Sequence, residues 1–282
     1  MENQVTISQP TMLEAMNRSE IDMQISTAHA FPRDEEKALA KMARLACMDE
    51  DTAADCFYQL KRKKADGEEE EINGLSVRMA EIIASCWGNL RVQARIIGND
   101  GRWITAQGVC HDLESNVAVS KEVKRRITTK QGYTFSEDMQ VVTGNAACAI
   151  AYRNAVLAVV PKAVTNSVIN RVRAVMENAE MDVPKVRTQT LHWWATKGVT
   201  EEQLLHYLQL DNIEAIDKEQ LYSLRALAQA INEGTTSIEE TFVAPVQQER
   251  VAKGVKSAAK AAKDKAEQAM ARSKGKNATQ AK

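Results

Sequence analysis

Residues 90–127 read LRVQARIIGNDGRWITAQGVCHDLESNVAVSKEVKRRI, and the side chains alternate between apolar and polar along much of this stretch. A period of two is typical of β-strands, because successive side chains point to opposite faces of a sheet. The first strand predicted in this way has apolar side chains on one face and Arg91, Gln93 and Arg95 on the other. Turn sequences at 98–101 and 114–116 separate three such strands. The stretch therefore predicts a three-stranded antiparallel meander.

Helical patterns stand on both sides of this meander. Residues 74–87 carry apolar side chains at the helical period, and Gly88 follows them at a position where glycine commonly ends a helix. After the meander, Ser136 is a good N-cap for a helix that ends near Pro161. We predict an α+β fold in which an α-β-β-β-α core, a three-stranded antiparallel meander flanked by helices, is joined to a small C-terminal helical module.

Composition shifts divide the chain into four predicted segments. Residues 1–33 are expected to form a flexible arm, 34–183 the core, 184–245 a small helical docking module and 246–282 a disordered basic tail. Within the core, we expect a helix from about residue 51 to the basic run at 61–64, followed by a solvated loop at 65–72.

The charge of the chain is close to balanced overall but uneven along it. The net charge is -1, with 37 Lys and Arg against 38 Asp and Glu. Residues 249–282 carry 10 basic and 3 acidic side chains, whereas residues 181–248 carry 5 basic and 10 acidic ones. The whole molecule is therefore not a basic nucleic-acid binder, and a basic arm is appended to nearly neutral domains.

The sequence predicts a cytoplasmic location, which is the bacterial host cytoplasm if a phage encodes the chain. The five cysteines are odd in number and far apart, so they are expected to be buried thiols in a reducing compartment. No apolar run reaches the roughly 18 residues of a membrane span, and the first residues lack the pattern of a signal peptide.

A basic cluster near the end of the third strand is the first candidate binding feature. Such crowded cations attract phosphates, and each phosphate contact releases counterions, which makes binding depend steeply on salt. The alternative is a solvated charged edge strand that prevents aggregation. The cluster comprises Lys121, Lys124, Arg125, Arg126 and Lys130.

Arginines on the two flanking helices are the second candidate. Arg153 follows a run of small residues that includes Asn145, so its helix is expected to lie close to the sheet and to place the guanidinium group along a groove beside the strands. The alternative is an internal salt bridge, for example between Arg78 and Glu81 at a spacing of three.

Aromatic side chains near the basic cluster are the third candidate. Trp103, Tyr133 and Phe135 are suited to stacking on nucleic-acid bases, although packing in the core is an equally physical role, above all for Trp103. Catalytic patterns are absent from the sequence. The four histidines and five cysteines have no metal-binding spacing, and no nucleophile motif is present. We therefore expect a binding protein that needs no cofactor or metal, and not an enzyme.

Three motifs carry a resemblance to a known family. They are GLSVRMAEI at residues 74–82, WGN at 87–89 and VTGNAACAIAYR at 142–153. With the order of helix, meander and long helix, they make roughly residues 35–180 resemble phage-type single-strand annealing proteins, the superfamily of RecT, Redβ and Erf. The DNA-binding residues expected from the resemblance and the cation pattern together are Arg78, Arg91, Arg95, Lys121, Lys124, Arg125, Arg126, Lys130, Tyr133, Asn145 and Arg153.

The resemblance implies a function in homologous recombination. Such proteins form rings or helical homo-oligomers, hold one strand of DNA extended in a positively charged groove, and anneal complementary strands without ATP or another cofactor. It also implies that the C-terminal module docks a partner exonuclease or single-strand binding protein. The alternative hypothesis is an oligomeric structural or assembly protein whose basic tail contacts nucleic acid nonspecifically.

Overall fold

The computed structural model describes residues 12–63, 69–129 and 132–242. The helices are α1 (Met12–Ala30), α2 (Glu35–Ala46), α3 (Glu50–Asp55), α4 (Val77–Trp87), α5 (Glu137–Val159), α6 (Lys162–Asn178), α7 (Val183–Thr196), α8 (Glu201–Leu208), α9 (Lys218–Asn232) and α10 (Ile238–Thr241). The strands are β1 (Phe57–Lys63), β2 (Glu69–Leu75), β3 (Leu90–Asn99), β4 (Trp103–Asp112) and β5 (Val117–Arg126).

The predicted fold class is confirmed. Strands β3, β4 and β5 form an antiparallel meander in that order, and the meander packs against α5. In β4 the even-numbered residues are buried and the odd-numbered ones are exposed or half-buried, as the alternation in the sequence predicts. The turn between β3 and β4 is closed by Asp100, whose carboxylate accepts hydrogen bonds from the backbone N–H groups of Arg102 and Trp103.

Helix α5 lies directly on the middle strand. A Cβ atom added to Gly108 of β4 would stand 2.2 Å from the carbonyl oxygen of Ala151, so only glycine permits this approach. Small side chains on the facing side of α5, Ala147 and Ala151, are fully buried against Ile104 and Ala106 of β4. The small-residue run therefore serves close packing of helix on sheet.

The other side of α5 faces a helical layer. A continuous apolar core joins α5 to α2, α4 and α6, with Met42, Met79, Ile83 and Val168 among its fully buried side chains. The bulk of the hydrophobic core thus lies on one side of the meander, and the sheet has a covered and an uncovered face.

The expected helix and loop between residues 51 and 72 are corrected by the structure. Helix α3 stops at Asp55, and β1 and β2 form a two-stranded hairpin in which residues 61–63 pair with 69–71. Leu60 of β1 is buried among Trp194, Leu204 and other apolar side chains of the C-terminal helices. Burial against these distant residues outweighs local helix propensity. Because β2 extends to Leu75, α4 begins at Val77 rather than at residue 74, with Ser76 as its N-cap.

The segment in which the sequence predicts a small helical module contains helices α7, α8 and α9. Their apolar core includes Leu60 of β1, so they pack directly onto the segment preceding α4. Arg225 of α9 also pairs with Asp51 and Asp55 of α3. The predicted tail at 246–282 lies outside the described residues.

The arm predicted for residues 1–33 contains helix α1 from Met12 onward. Just after it, Arg33 donates two hydrogen bonds to the carboxylate of Asp112 at the end of β4, at 2.7 and 2.8 Å, and its guanidinium group stacks on Trp87 at 4.6 Å. Arg33 also bonds Glu114. The end of the arm is therefore fastened to the meander by a largely buried charged cluster.

Within the described ranges, no single helix is long and apolar enough to cross a membrane, and α5 with α6 meets that length and composition only as a pair bent by 113°. The five cysteines are free thiols. Burial raises the pKa of Cys110 to about 11, so this thiol is protonated at neutral pH.

We predict that Gly108→Ala lowers the free energy of unfolding by about 1–3 kcal/mol, because the new methyl group must displace the backbone of α5. The measurement is urea unfolding followed by circular dichroism. Gly98→Ala is the matched control, since the nearest atom to its Cβ would be 3.9 Å away. Equal stability of the two variants would contradict the close packing of α5 on β4.

A second prediction concerns the pH dependence of the Arg33–Asp112 pair. Burial alone would raise the pKa of Asp112, but hydrogen bonds and charge from Arg33 outweigh it and hold this pKa below its usual value near 3.8. The pair therefore contributes stability above the unfolded-state pKa, and this contribution is lost as the pH falls through the lower folded-state pKa.

We expect Asp112→Asn to lower the unfolding free energy by roughly 2 kcal/mol at pH 7, because it leaves the largely buried guanidinium group of Arg33 with Glu114 as its one remaining carboxylate partner. The difference from the wild type should shrink at acid pH. Urea unfolding across a pH series measures it, and a difference that is constant with pH would argue against the ion pair.

Candidate nucleic-acid interface

The face of the meander opposite α5 is uncovered, and we call it the open face. Cross-strand pairing brings Arg91, Gln93 and Arg95 of β3 opposite His111, Val109 and Gln107 of β4. These in turn pair with Ala118, Ser120 and Glu122 of β5, while Thr105 and Trp103 pair with Lys124 and Arg126. All of these side chains are exposed or half-buried.

Four cations and one carboxylate occupy the open face. Arg95 lies across from Gln107 and donates a hydrogen bond of 3.4 Å to its side chain. Arg126 donates to the hydroxyl of Thr128 and to the carbonyl oxygen of Thr129, both at 2.8 Å, so its guanidinium group is positioned without a carboxylate. In the described part of the chain, neither Arg95, Lys124 nor Arg126 forms a salt bridge.

Two exposed aromatic side chains lie at the hairpin end of the meander. Trp103 begins β4, is 38% exposed and has Arg126 as its cross-strand partner. Tyr133 is 75% exposed in the loop after β5. Backbone bonds fold this loop against the hairpin: Ile127 donates to the carbonyl oxygen of Arg102. The hydroxyl of Thr134 also bonds the carbonyl oxygen of Gly101. Aromatic and cationic groups are therefore brought to one end of the sheet.

The pKa of Asp100 reflects the hydrogen bonds and the positive charge at this hairpin end. Hydrogen bonds from the backbone of Trp103 and Arg102 lower the pKa of Asp100, and the positive charge of Lys124 lowers it further. The carboxylate is thus held in its charged form at the turn, where it shapes the backbone. Lys124 still carries no salt bridge to it within 4 Å.

At the other end of the open face, Arg91 is engaged by α1. Its guanidinium group donates to the carboxylate of Glu20 at 3.2 Å and to the side-chain oxygen of Gln24 at 3.0 Å. Arg91 is therefore on the open face, as predicted, but its charge is partly neutralised by the arm.

The predicted basic cluster is divided between the two faces of β5. Lys124 and Arg126 lie on the open face, whereas Lys121 and Arg125 share the opposite face with Val123, which packs toward α5. Arg125 donates to the backbone carbonyl of Thr235 after α9. Lys130 lies outside the described residues. The sequence signal for this division was the period of two along β5, which sets Val123 on the opposite face from Lys124.

The expected position of Arg153 in an open groove is wrong. Its side chain is buried, pairs with Glu233 at 3.2 Å and lies over the ring of Tyr58 at 4.6 Å. Arg78 is exposed on the helical side and forms the i,i+3 salt bridge with Glu81 that was the alternative hypothesis. Asn145 is exposed on α5. These three residues do not share a surface with the open face.

The interface also contains a residue that the predicted binding set left out. Trp103 was considered for packing in the core, but its place at the exposed end of β4 puts it beside Arg126. The alternation of β4, which sets Trp103 on the same face as Val109 and away from Ile104, was the available signal. The polar partners Thr105 and Ser120, in contrast, were recognisable only once the cross-strand pairing was known.

Among the residues that the structure describes, no group of three or more His, Cys, Asp or Glu side chains is arranged to hold a metal ion. No protein-family model, no curated protein and no solved structure matches the chain with significant similarity.

We predict that Arg153→Met lowers the free energy of unfolding by roughly 3 kcal/mol, because it leaves the buried Glu233 carboxylate without its guanidinium partner. The matched control is Arg78→Met, which removes an exposed salt bridge and should cost no more than about 1 kcal/mol. Chemical unfolding of both variants measures the effect. If Arg153→Met is as stable as Arg78→Met, the buried pair is not a structural tie.

Proposed function

We propose that this chain binds single-stranded nucleic acid on the open face and anneals complementary DNA strands without ATP, in phage-type homologous recombination. The observation that carries the proposal is the open face itself, an uncovered sheet surface with four cations against one carboxylate and an exposed tryptophan at one end. The proposal describes a binding protein without a catalytic step.

The cations support contacts to a phosphate backbone. Arg95 on β3 and Lys124 and Arg126 on β5 flank the middle strand from both sides. The middle strand contributes uncharged donors and acceptors, the side chains of Thr105 and Gln107, which suit sugar and base edges. A polyanion laid across the three strands meets positive charge on both edges and neutral polar groups in the centre.

The aromatic end of the face supports a preference for unpaired strands. Stacking of a base on an aromatic side chain contributes about 1–3 kcal/mol and requires a base whose faces are free. In a duplex these faces are occupied by neighbouring bases. Trp103 and Tyr133 are exposed, and Arg126 lies across from Trp103, so one nucleotide can stack while its phosphate is neutralised.

Annealing, a homo-oligomeric ring or filament and a C-terminal docking site for a partner exonuclease or single-strand binding protein are proposed from the resemblance stated above. The open face is compatible with annealing because a strand held through its phosphates leaves its pairing edges to a second strand. The path of the strand differs from the expected groove, since Arg153 is buried on the far side of the sheet.

A second candidate function is favoured by the charge of the C-terminal segment. Residues 249–282 carry 10 basic and 3 acidic side chains, enough for nonspecific contact with any polyanion. In that case the protein is a structural or assembly protein, and the open face has no nucleic-acid ligand. The two candidates differ in which deletion or substitution removes binding.

We expect the double variant Lys124→Ala, Arg126→Ala to bind a labelled oligothymidine about tenfold more weakly, a loss of about 1.4 kcal/mol. Removing two phosphate contacts should also reduce the slope of log affinity against log salt by about 1.4. Fluorescence anisotropy between about 50 and 200 mM salt measures both quantities. The control is Lys41→Ala, Lys185→Ala, which removes the same charge from exposed helical positions.

The deciding comparison adds a chain lacking residues 249–282. The proposal requires that this truncated chain keeps most of its oligothymidine affinity and accelerates duplex formation between complementary oligonucleotides without ATP. If truncation abolishes binding while the Lys124 and Arg126 substitutions leave it intact, the nonspecific tail function replaces the proposed one.

A further inference from the structure

Helix α1 leaves part of its apolar surface exposed, although Ile21 and Ile25 are half-buried. Met16 and Met23 are 61% and 64% exposed, and in the part of α1 with described side chains only Ala28, near its end, is buried. The chain is fastened beyond the helix, where Asn89 donates to the carbonyl oxygen of Phe31 and Arg33 pairs with Asp112. The helix is thus attached at one end.

Along its length, α1 touches the sheet through a polar contact. The side chains of Glu20 and Gln24, one turn apart, both accept hydrogen bonds from one nitrogen of Arg91. About half of the Glu20 side chain and about a quarter of the Arg91 side chain are exposed to solvent. Such partly exposed pairs contribute only about 0.2–1 kcal/mol, so this contact is readily exchanged.

An open groove beside this contact shows that α1 does not seal against the sheet. The groove has a volume of about 580 Å³ and runs between Met23 and Thr27 of α1 and residues 89–93 of the chain. The apolar core clusters of the described residues include side chains of α5 and β4 but none of α1. The position of α1 depends on the tie at its end and on Arg91.

Arg91 belongs to the same surface as the other cations of the open face. It is four residues from Arg95 on the same strand and face, with Gln93 between them on that face, and pairs across to His111. The carboxylate of Glu20 therefore occupies a guanidinium group at the point where a strand crossing the open face would bring a phosphate. Glu20 and a phosphate compete for the same donors and the same positive charge.

We propose that α1 is an autoinhibitory strap of the open face, in which Glu20 holds Arg91 until a nucleic-acid phosphate displaces it. Release of α1 adds Arg91 to the phosphate-binding cations and lengthens the site toward the start of β3. This inference rests on the proposed function and states how the same site is regulated. The ligand chemistry is a polyphosphate backbone, and the competing group is supplied by the chain itself.

The test compares Glu20→Ala with Asp22→Ala. Both substitutions remove one negative charge from α1, but Asp22 is exposed and its carboxylate makes no described contact. We expect Glu20→Ala to bind oligothymidine about two- to fivefold more tightly than Asp22→Ala, matching the strength of the lost ion pair. The salt slope should steepen by about 0.7, since one more phosphate is neutralised. Anisotropy titrations give both values in the full-length protein.

A double-mutant cycle tests whether the effect of Glu20→Ala depends on Arg91. In an Arg91→Ala background, Glu20→Ala should have no more effect than Asp22→Ala. If Glu20→Ala equals Asp22→Ala in the wild-type background, or keeps its effect without Arg91, the strap is refuted even though Lys124 and Arg126 still bind the strand. If the Lys124 and Arg126 substitutions have no effect, the site itself is refuted, and the two failures are thereby distinguished.

Discussion

The contact between Gly108 of β4 and the backbone of α5 is the constraint on which the arrangement of the molecule depends. A helix that approaches a strand this closely needs glycine on the strand and small side chains on the helix, and α5 supplies Ala147 and Ala151 there. Because α5 packs on one face of the sheet, the helical core gathers on that side. Arg95, Lys124, Arg126 and the exposed Trp103 are left on the other face of the meander.

The arginines of this chain have two distinct physical roles. Arg153 is buried and Arg33 largely so. Each pairs with at least one carboxylate and stacks on an aromatic ring, so these charges are satisfied inside the protein. Arg95 and Arg126 are exposed and positioned by uncharged groups. Removing a guanidinium group from water is costly unless a carboxylate receives it, and the buried pairs meet that condition. The exposed ones keep their charge available for a ligand, which is why the proposed site contains them and not Arg153.

The meander, its turns and α5 could be predicted from the sequence because their signals are local, namely side-chain alternation, turn residues and an N-cap. The hairpin of β1 and β2 could not, since residues 61–64 and 68–71 look like solvated charge runs when each is considered alone. The one sequence signal for their pairing was the complementary charge of the two runs, which places Lys61 opposite Glu71. The site was predicted in part. Alternation gave the face of Arg91 and Arg95, but whether Arg153 meets solvent or Glu233 depends on residues far away in the chain.

The junction at Glu233 has a consequence for biosynthesis. One oxygen of its carboxylate receives the guanidinium group of Arg153, and the other receives the backbone N–H of Val77 at the first turn of α4. Arg153 precedes its counter-ion by 80 residues. A ribosome needs on the order of 10 s to add that length at about 5–20 residues per second. Until Glu233 has been synthesised, the guanidinium group of Arg153 on α5 has water as its partner. The burial of this side of α5 is therefore completed only when α9 has been made.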